Sequence, residues 1–275
     1  MNTNIFNPQK WVIYLLLLVV VIFPILNPLG IAIKPSSNTQ QAYDYVEKME
    51  EGATVLVVIA YEPGSIGELS AQVTATLKHF ASKNLKVLLA SANPNMVSAL
   101  GDFMTDTYGK AGKVYGEDYL ILGYYAGGET TLAAMGDSLI DVFKTDNKGV
   151  DLKTFKLTKE ITKLPDLDLV FAISNGDTLT FIRQANTKFG IPILFSVVAV
   201  MAPSTIPFVQ SGQAVSVLVG SSGAAEYETL LNEPGLATAN MDAQSLSHIM
   251  IIVLILWGNI GYFIERSKEK AKKGA

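Results

Sequence analysis

Residues 54–82 read TVLVVIAYEPGSIGELSAQVTATLKHFAS. Thr54 to Ala60 is an unbroken run of β-branched and aliphatic side chains. A strand with one wet face alternates apolar and polar residues. An unbroken run is apolar on both faces, as in the interior of a parallel sheet covered on each side by helices. Tyr61, Glu62, Pro63, Gly64 and Ser65 then form a turn, and Ser65 to Ser82 carries a helical pattern. The stretch is a strand, a tight turn and a returning helix, the first half of a βαβ unit.

The same unit recurs downstream. Strands are predicted at Leu85 to Ala90, Asp118 to Leu122, Asp168 to Ile173, Pro192 to Ala199 and Val215 to Val219. Helical patterns lie at about Asn95 to Tyr108, Glu129 to Phe143, Thr178 to Phe189, Pro203 to Gln210 and Ala224 to Leu231. Regular alternation of strand and helix predicts an α/β fold, Rossmann-like and doubly wound, with a mainly parallel sheet of about six strands. The Lys- and Asp-rich segment from Thr145 to Leu164 has weak periodicity and reads as a solvated surface excursion, with a lid as the alternative. Upstream, Lys34 to Gln40 is a polar linker. Ala42, Tyr45, Val46 and Met49 form one face of an amphipathic helix, lying on the domain or at a membrane surface.

Further out, two apolar runs bracket this domain: Trp11 to Ile33, and about Leu246 to Ile264. Neither contains Asp, Glu, Lys or Arg, and each is near the ~20 residues that a helix needs to cross a bilayer core of about 30 Å. The first run exceeds the apolar core of a signal peptide, and no A-x-A-like cleavage site follows it. Two membrane helices are therefore expected, at 11–33 and 245–264. Residues 34–52 would form the linker and amphipathic helix, and 53–244 the α/β domain. The tail, 265–275, carries Arg266, Lys268, Lys270, Lys272 and Lys273 against two acids, and the N-terminal segment has Lys10. Basic flanks prefer the cytoplasm. Both termini are thus expected inside a cell membrane, with the domain outside.

The stretch from 34 to 245 carries 15 basic and 23 acidic side chains, which excludes the basic surface that nucleic acid requires. With no cysteine in the chain, disulfides, thiol nucleophiles and cysteine metal sites are excluded.

In an open parallel sheet, ligands bind beyond the carboxyl ends of the strands. Here those ends are rich in small and polar residues. The candidate rim residues are Glu62, Ser65, Gly127, Gly128, Glu129, Ser174, Asn175, Asp177, Ser221, Ser222 and Gly223. Small side chains let a ligand approach the backbone, and the following helices present free N–H groups. The competing explanation is that Gly, Asn, Asp and Ser serve turn geometry and capping alone. Neither the dinucleotide nor the P-loop fingerprint is present, so no cofactor is expected. The two histidines, His79 and His248, are not placed to serve a rim serine, so the serine–histidine arrangement of a hydrolase is not expected. Glu62, Glu129, Asp177 and Glu226 lie near strand ends, where two could act as acid and base or hold a hard cation.

In the spans, Asn27 and Asn259 fall in opposite leaflets and are not expected to pair within one chain. Asn259 beside Gly258 and Gly261 suggests a helix–helix contact with another membrane subunit or a second copy. The expected function is a membrane-tethered binding domain, an accessory or sensor subunit that takes a small polar ligand or a protein. A membrane-anchored hydrolase acting on envelope material and a structural scaffold are the alternatives.

Overall fold

The computed structural model describes residues 9–31 and 33–273. These fall into two compact units. One is Ile33–Glu233, and the other is made from the two ends of the chain.

In the first unit six strands form one parallel sheet: β1 Thr54–Ala60, β2 Lys86–Ser91, β3 Tyr119–Tyr124, β4 Leu169–Ser174, β5 Ile193–Val197 and β6 Ser216–Val219. Their spatial order is β3-β2-β1-β4-β5-β6, and every pairing is parallel. The chain steps outward from β1 to β3, returns to the centre, and steps outward the other way from β4 to β6. The strand order therefore reverses between β1 and β4. Each predicted strand is present, with ends shifted by a residue or two.

Every residue of β4 and all but the last of β1 are buried. Their side chains alternate between two separate cores. Val55, Val57 and Ile59 face one, with α2 Ser37–Glu47, α3 Ile66–Ser82, α4 Val97–Met104 and α10 Gly220–Leu230. Leu56 and Val58 face the other, with α5 Gly128–Met135, α6 Leu139–Phe143, α7 Leu157–Glu160, α8 Leu179–Phe181 and α9 Ala202–Gln210. On α3 the buried residues Leu69, Val73, Leu77 and Phe80 recur at helical spacing, a stripe facing one sheet surface.

Several local expectations are corrected. The helix expected from Glu129 to Phe143 is two helices, broken at Gly136-Asp137-Ser138, with Ser138 accepting a hydrogen bond from Asp141 N to cap the second. The segment from Thr145 to Leu164 is a surface excursion, mostly exposed, that is pinned to the domain by a few buried side chains. Leu152, Leu157, Ile161 and Leu164 are buried in the second core. Buried Asp146 fixes its turn by accepting from Lys148 N, Val150 N and the Tyr115 hydroxyl. Apolar side chains every three to five residues hold this segment down despite its lysines. Helix α10 opens at Gly220, directly from β6, so Gly220-Ser-Ser-Gly223 is a first helical turn and not a loop. The amphipathic helix α2 lies on the domain, with Ala42 and Val46 in the core.

The second unit is helical. Helix α11 runs from Leu236 to Lys273, 38 residues, opening ten residues before the expected Leu246. Its stretch Leu236–Ile264 is long and apolar enough to cross a membrane. Helix α1 spans Lys10–Leu26, only 17 residues, or about 26 Å. It stops short of the expected Ile33 because Pro28 disfavours helical geometry at Asn27. The two helices pack on each other. Tyr14, Leu18 and Phe23 on α1 and Ile252, Leu256 and Phe263 on α11 remain exposed. Beyond the end of α1, the buried Asp242 of α11 accepts hydrogen bonds from the backbone N–H groups of Leu29, Gly30 and Ile31 at 2.7, 3.0 and 3.0 Å.

Candidate functional site

The reversal of strand order between β1 and β4 opens the sheet at their carboxyl ends. In doubly wound folds a ligand crevice forms there, because neighbouring helices leave on opposite faces. The two sides of this rim differ.

On the side of α3 the rim is closed by its own side chains. Asn175 Nδ2 donates to Ser65 Oγ at 3.0 Å. Glu68, in the first turn of α3, accepts from Ala199 N at 2.6 Å. Buried Gln72 donates to the Gly220 carbonyl at 2.8 Å and accepts from Ser196 Oγ at 2.5 Å. These bonds tie the loops after β1, β4, β5 and β6 to one another and to α3. Ser222 donates to the Val219 carbonyl at 3.3 Å, and Ser221 sits beside it in the same helical turn. A Cβ on Gly223 would stand 3.3 Å from the Leu218 carbonyl carbon. Its smallness serves the packing of α10 on β6. Glu226 accepts from Ser36 N, Ser36 Oγ and Thr39 Oγ1 at 3.0, 2.7 and 2.6 Å. It anchors the start of α2 and lies away from the rim group. Glu62 is exposed and joins neither side.

On the other face the rim is open. Ala60, Ala92, Tyr125, Gly128, Glu129, Ser174, Asp177, Thr180 and Phe181 line a crevice of about 200 Å³. Its floor is alanine, at the ends of β1 and β2. One wall is the start of α5, entered through Gly127 at φ +98° and Gly128 at φ +52°. The other is the turn after β4, where Ser174 Oγ accepts from Gly176 N at 3.0 Å and Asp177 accepts from Thr180 N at 3.2 Å and from its hydroxyl. Glu129 accepts from Gln184 Nε2 at 2.9 Å and faces Arg183 at 3.7 Å. The structure thus gathers Gly128, Glu129, Ser174 and Asp177 from the predicted set. It leaves Ser65, Asn175, Ser221, Ser222 and Gly223 in the closed half.

Tyr125 was not among the predicted residues. It is 6% exposed, stacks edge-on against Phe143, and its hydroxyl has no hydrogen-bond partner among the described residues. Burial pushes that hydroxyl above the usual tyrosine range, so it is a proton donor at neutral pH. Thr180 and Phe181 were also missed. The pair Tyr124-Tyr125 at the end of β3 was the available signal, because alternation sends one of two adjacent strand-end residues outward and the other onto the sheet face. Tyr124 is exposed and Tyr125 buried.

Two larger depressions, of about 440 and 610 Å³, lie along α2. Both are open, and one includes the residues that precede β1, at the amino ends of the strands, where no ligand edge is expected. Among the described residues no three His, Asp or Glu side chains gather to hold a metal ion.

Buried His79 is far from serving a serine. It bonds Tyr227 Oη at 2.8 Å and Glu47 Oε1 at 2.9 Å. In the helix pair, Asn259 Nδ2 donates to the Ile255 carbonyl of its own helix at 2.8 Å. Gly258 has open space around it, and Gly261 is buried.

No protein-family model matches the chain, and no curated protein matches it. A solved structure, the C-terminal domain of a glycosyl transferase group 1 family protein from Francisella tularensis, is similar over 73% of this chain and 95% of that one. The identity is 11% and the TM-score 0.29. Likeness of that degree speaks to neither site nor substrate.

Proposed function

We propose that this chain is a membrane-tethered α/β binding domain whose crevice between α5 and α8 takes a small polar ligand. In this reading it serves as an accessory or sensor subunit of a membrane complex. Both termini lie on the cytoplasmic side, next to the basic residues that favour it, and the domain lies outside. The observation that carries the proposal is the asymmetry of the rim. Side-chain hydrogen bonds cross-link the half beside α3, while the half between α5 and α8 holds a crevice with polar groups lining it. A scaffold has no reason to leave that half unfilled.

Binding is favoured over hydrolysis because the rim serines are bonded to neutral partners. Ser65 accepts from Asn175, Ser174 accepts from backbone, and Ser222 donates to a carbonyl. No base is within reach of them among these contacts.

The test is to extract the protein from its native membrane in mild detergent and identify small molecules released on denaturation. Wild type should release a compound that an Ala92→Trp variant, with its crevice plugged, does not. Equal release from both, or none from either, overturns the binding reading. A native mass equal to a single chain overturns the subunit reading.

A further inference from the structure

We infer that the ligand of the α5–α8 crevice is a small neutral polyhydroxy compound, of the size of one monosaccharide or cyclitol ring. This rests on the binding reading above and gives it a chemical class.

Size comes first. At ~30 Å³ per water, a volume of about 200 Å³ holds six or seven waters, enough for one substituted ring. Charge comes second. Glu129 and Asp177 line the crevice. Their two negative charges are offset by Arg183 beside Glu129 and by the positive end of α5, worth about half a charge. The balance is close to neutral. A phosphate or carboxylate would meet two carboxylates. A dication would exceed the charge available to it.

Hydrogen bonding decides between the remaining classes. Ionised Glu129 and Asp177 only accept, and each keeps lone pairs beyond those used by Gln184 and Thr180. They call for donors on the ligand. Tyr125 lines the crevice as a 6% exposed residue whose hydroxyl has no protein hydrogen-bond partner among the described residues, and the first turn of α5 has N–H groups that its own helix cannot satisfy. They call for acceptors. An ammonium group supplies donors only and offers the Tyr125 proton no acceptor. A hydroxyl group both donates and accepts. Several hydroxyls on one ring match both walls at once. Phe181 and the alanine floor then cover the ring's apolar C–H face.

The test is a thermal-shift and calorimetric screen of the full chain in detergent. Probes are D-hexoses, N-acetylhexosamines and myo-inositol, with putrescine and inorganic phosphate as the opposing classes. The expected result is stabilisation by at least one polyol, weakened tenfold or more by Tyr125→Phe and by Asp177→Asn. Both unliganded variants should still unfold near wild type, since Tyr125 loses no protein contact through its hydroxyl and Asn retains the capping geometry of Asp. Stabilisation by putrescine or phosphate and by no polyol overturns the class while leaving the crevice as a binding site. Polyol binding that survives both substitutions places it elsewhere and overturns the proposal. No stabilisation by any probe overturns both the class and the crevice reading.

Discussion

His79 is 1% exposed at the junction of α2, α3 and α10. Tyr43 stacks on its ring at 4.7 Å, Tyr227 bonds one nitrogen and Glu47 the other, and Lys83 lies one turn on, bonded to Glu47. Burial holds Tyr227 well above its usual range, so its O–H donates to Nδ1, and Nε2–H donates to the Glu47 carboxylate. Burial also lowers the His79 pKa, against the opposing pull of Glu47. The unfolded chain therefore takes up a proton below about pH 6.5 that the folded chain refuses. This contribution is complete above that pH and is lost as pH falls through the lowered folded value. Urea unfolding of the wild type should show stability declining from pH 7 to pH 5. His79→Phe should flatten that slope and cost about 1–3 kcal/mol at pH 7, because Tyr227 loses its acceptor. A slope unchanged in the variant would remove His79 from the account. Asp242 makes a second prediction at this scale. Its carboxylate serves three backbone donors, so Asp242→Ala should destabilise the detergent-solubilised helix pair by about 3 kcal/mol or more, read as a lowered melting temperature. Neither residue's role was legible in the sequence. A lone histidine and a lone aspartate acquire their partners from residues 32 to 213 positions away, and no local pattern records that.

At the scale of elements, strands were read well and helix boundaries less well. A strand buried on both faces must be apolar throughout, so Thr54–Ala60 and Leu169–Ser174 announce themselves. A helix needs only one stripe, and two short helices can share it. That is why the break at Gly136-Asp137-Ser138 leaves no mark in the apolar pattern. At the carboxyl end of β6, Gly223 reads as part of a turn because its packing against Leu218 of β6 is a property of the fold. Among the rim residues, those in the crevice and those in the closed half have the same composition. Which way each turn faces follows from whether its helix leaves on the α3 side or the α5 side. Entry into α5 is the element most exposed to test. Gly127 has φ +98°, and a Cβ there would strike the Thr131 hydroxyl. Gly127→Ala should cost about 1–3 kcal/mol and displace the first turn of α5. Chemical denaturation reports the first, and loss of ligand stabilisation reports the second. A variant as stable as wild type would show that the turn tolerates a side chain.

For the whole molecule, the division at Ile33 and Glu233 predicts an independent domain. Residues 33–233, expressed alone, should be soluble without detergent and unfold in one cooperative transition by circular dichroism. Aggregation or a sloping, uncooperative melt would mean that the helical unit is part of its fold. Orientation is testable on intact cells with a permeabilised outer barrier. Added protease should cut the domain and spare a tag placed after Ala275, and a cut tag with an intact domain would reverse the topology. The apolar length of Leu236–Ile264 was legible in the sequence, since apolar length is a linear property. The sequence overstated the first helix because a single Pro28 outweighs a run of apolar neighbours. The continuous 38-residue helix α11 has a mechanical consequence of its own. At 1.5 Å per residue it is a rod of about 57 Å, close to twice the thickness of a bilayer core. A tilt of about 10° at one end swings the other through about 10 Å, so the helix acts as a lever arm whose small angular changes arrive at the far end as displacements of molecular size.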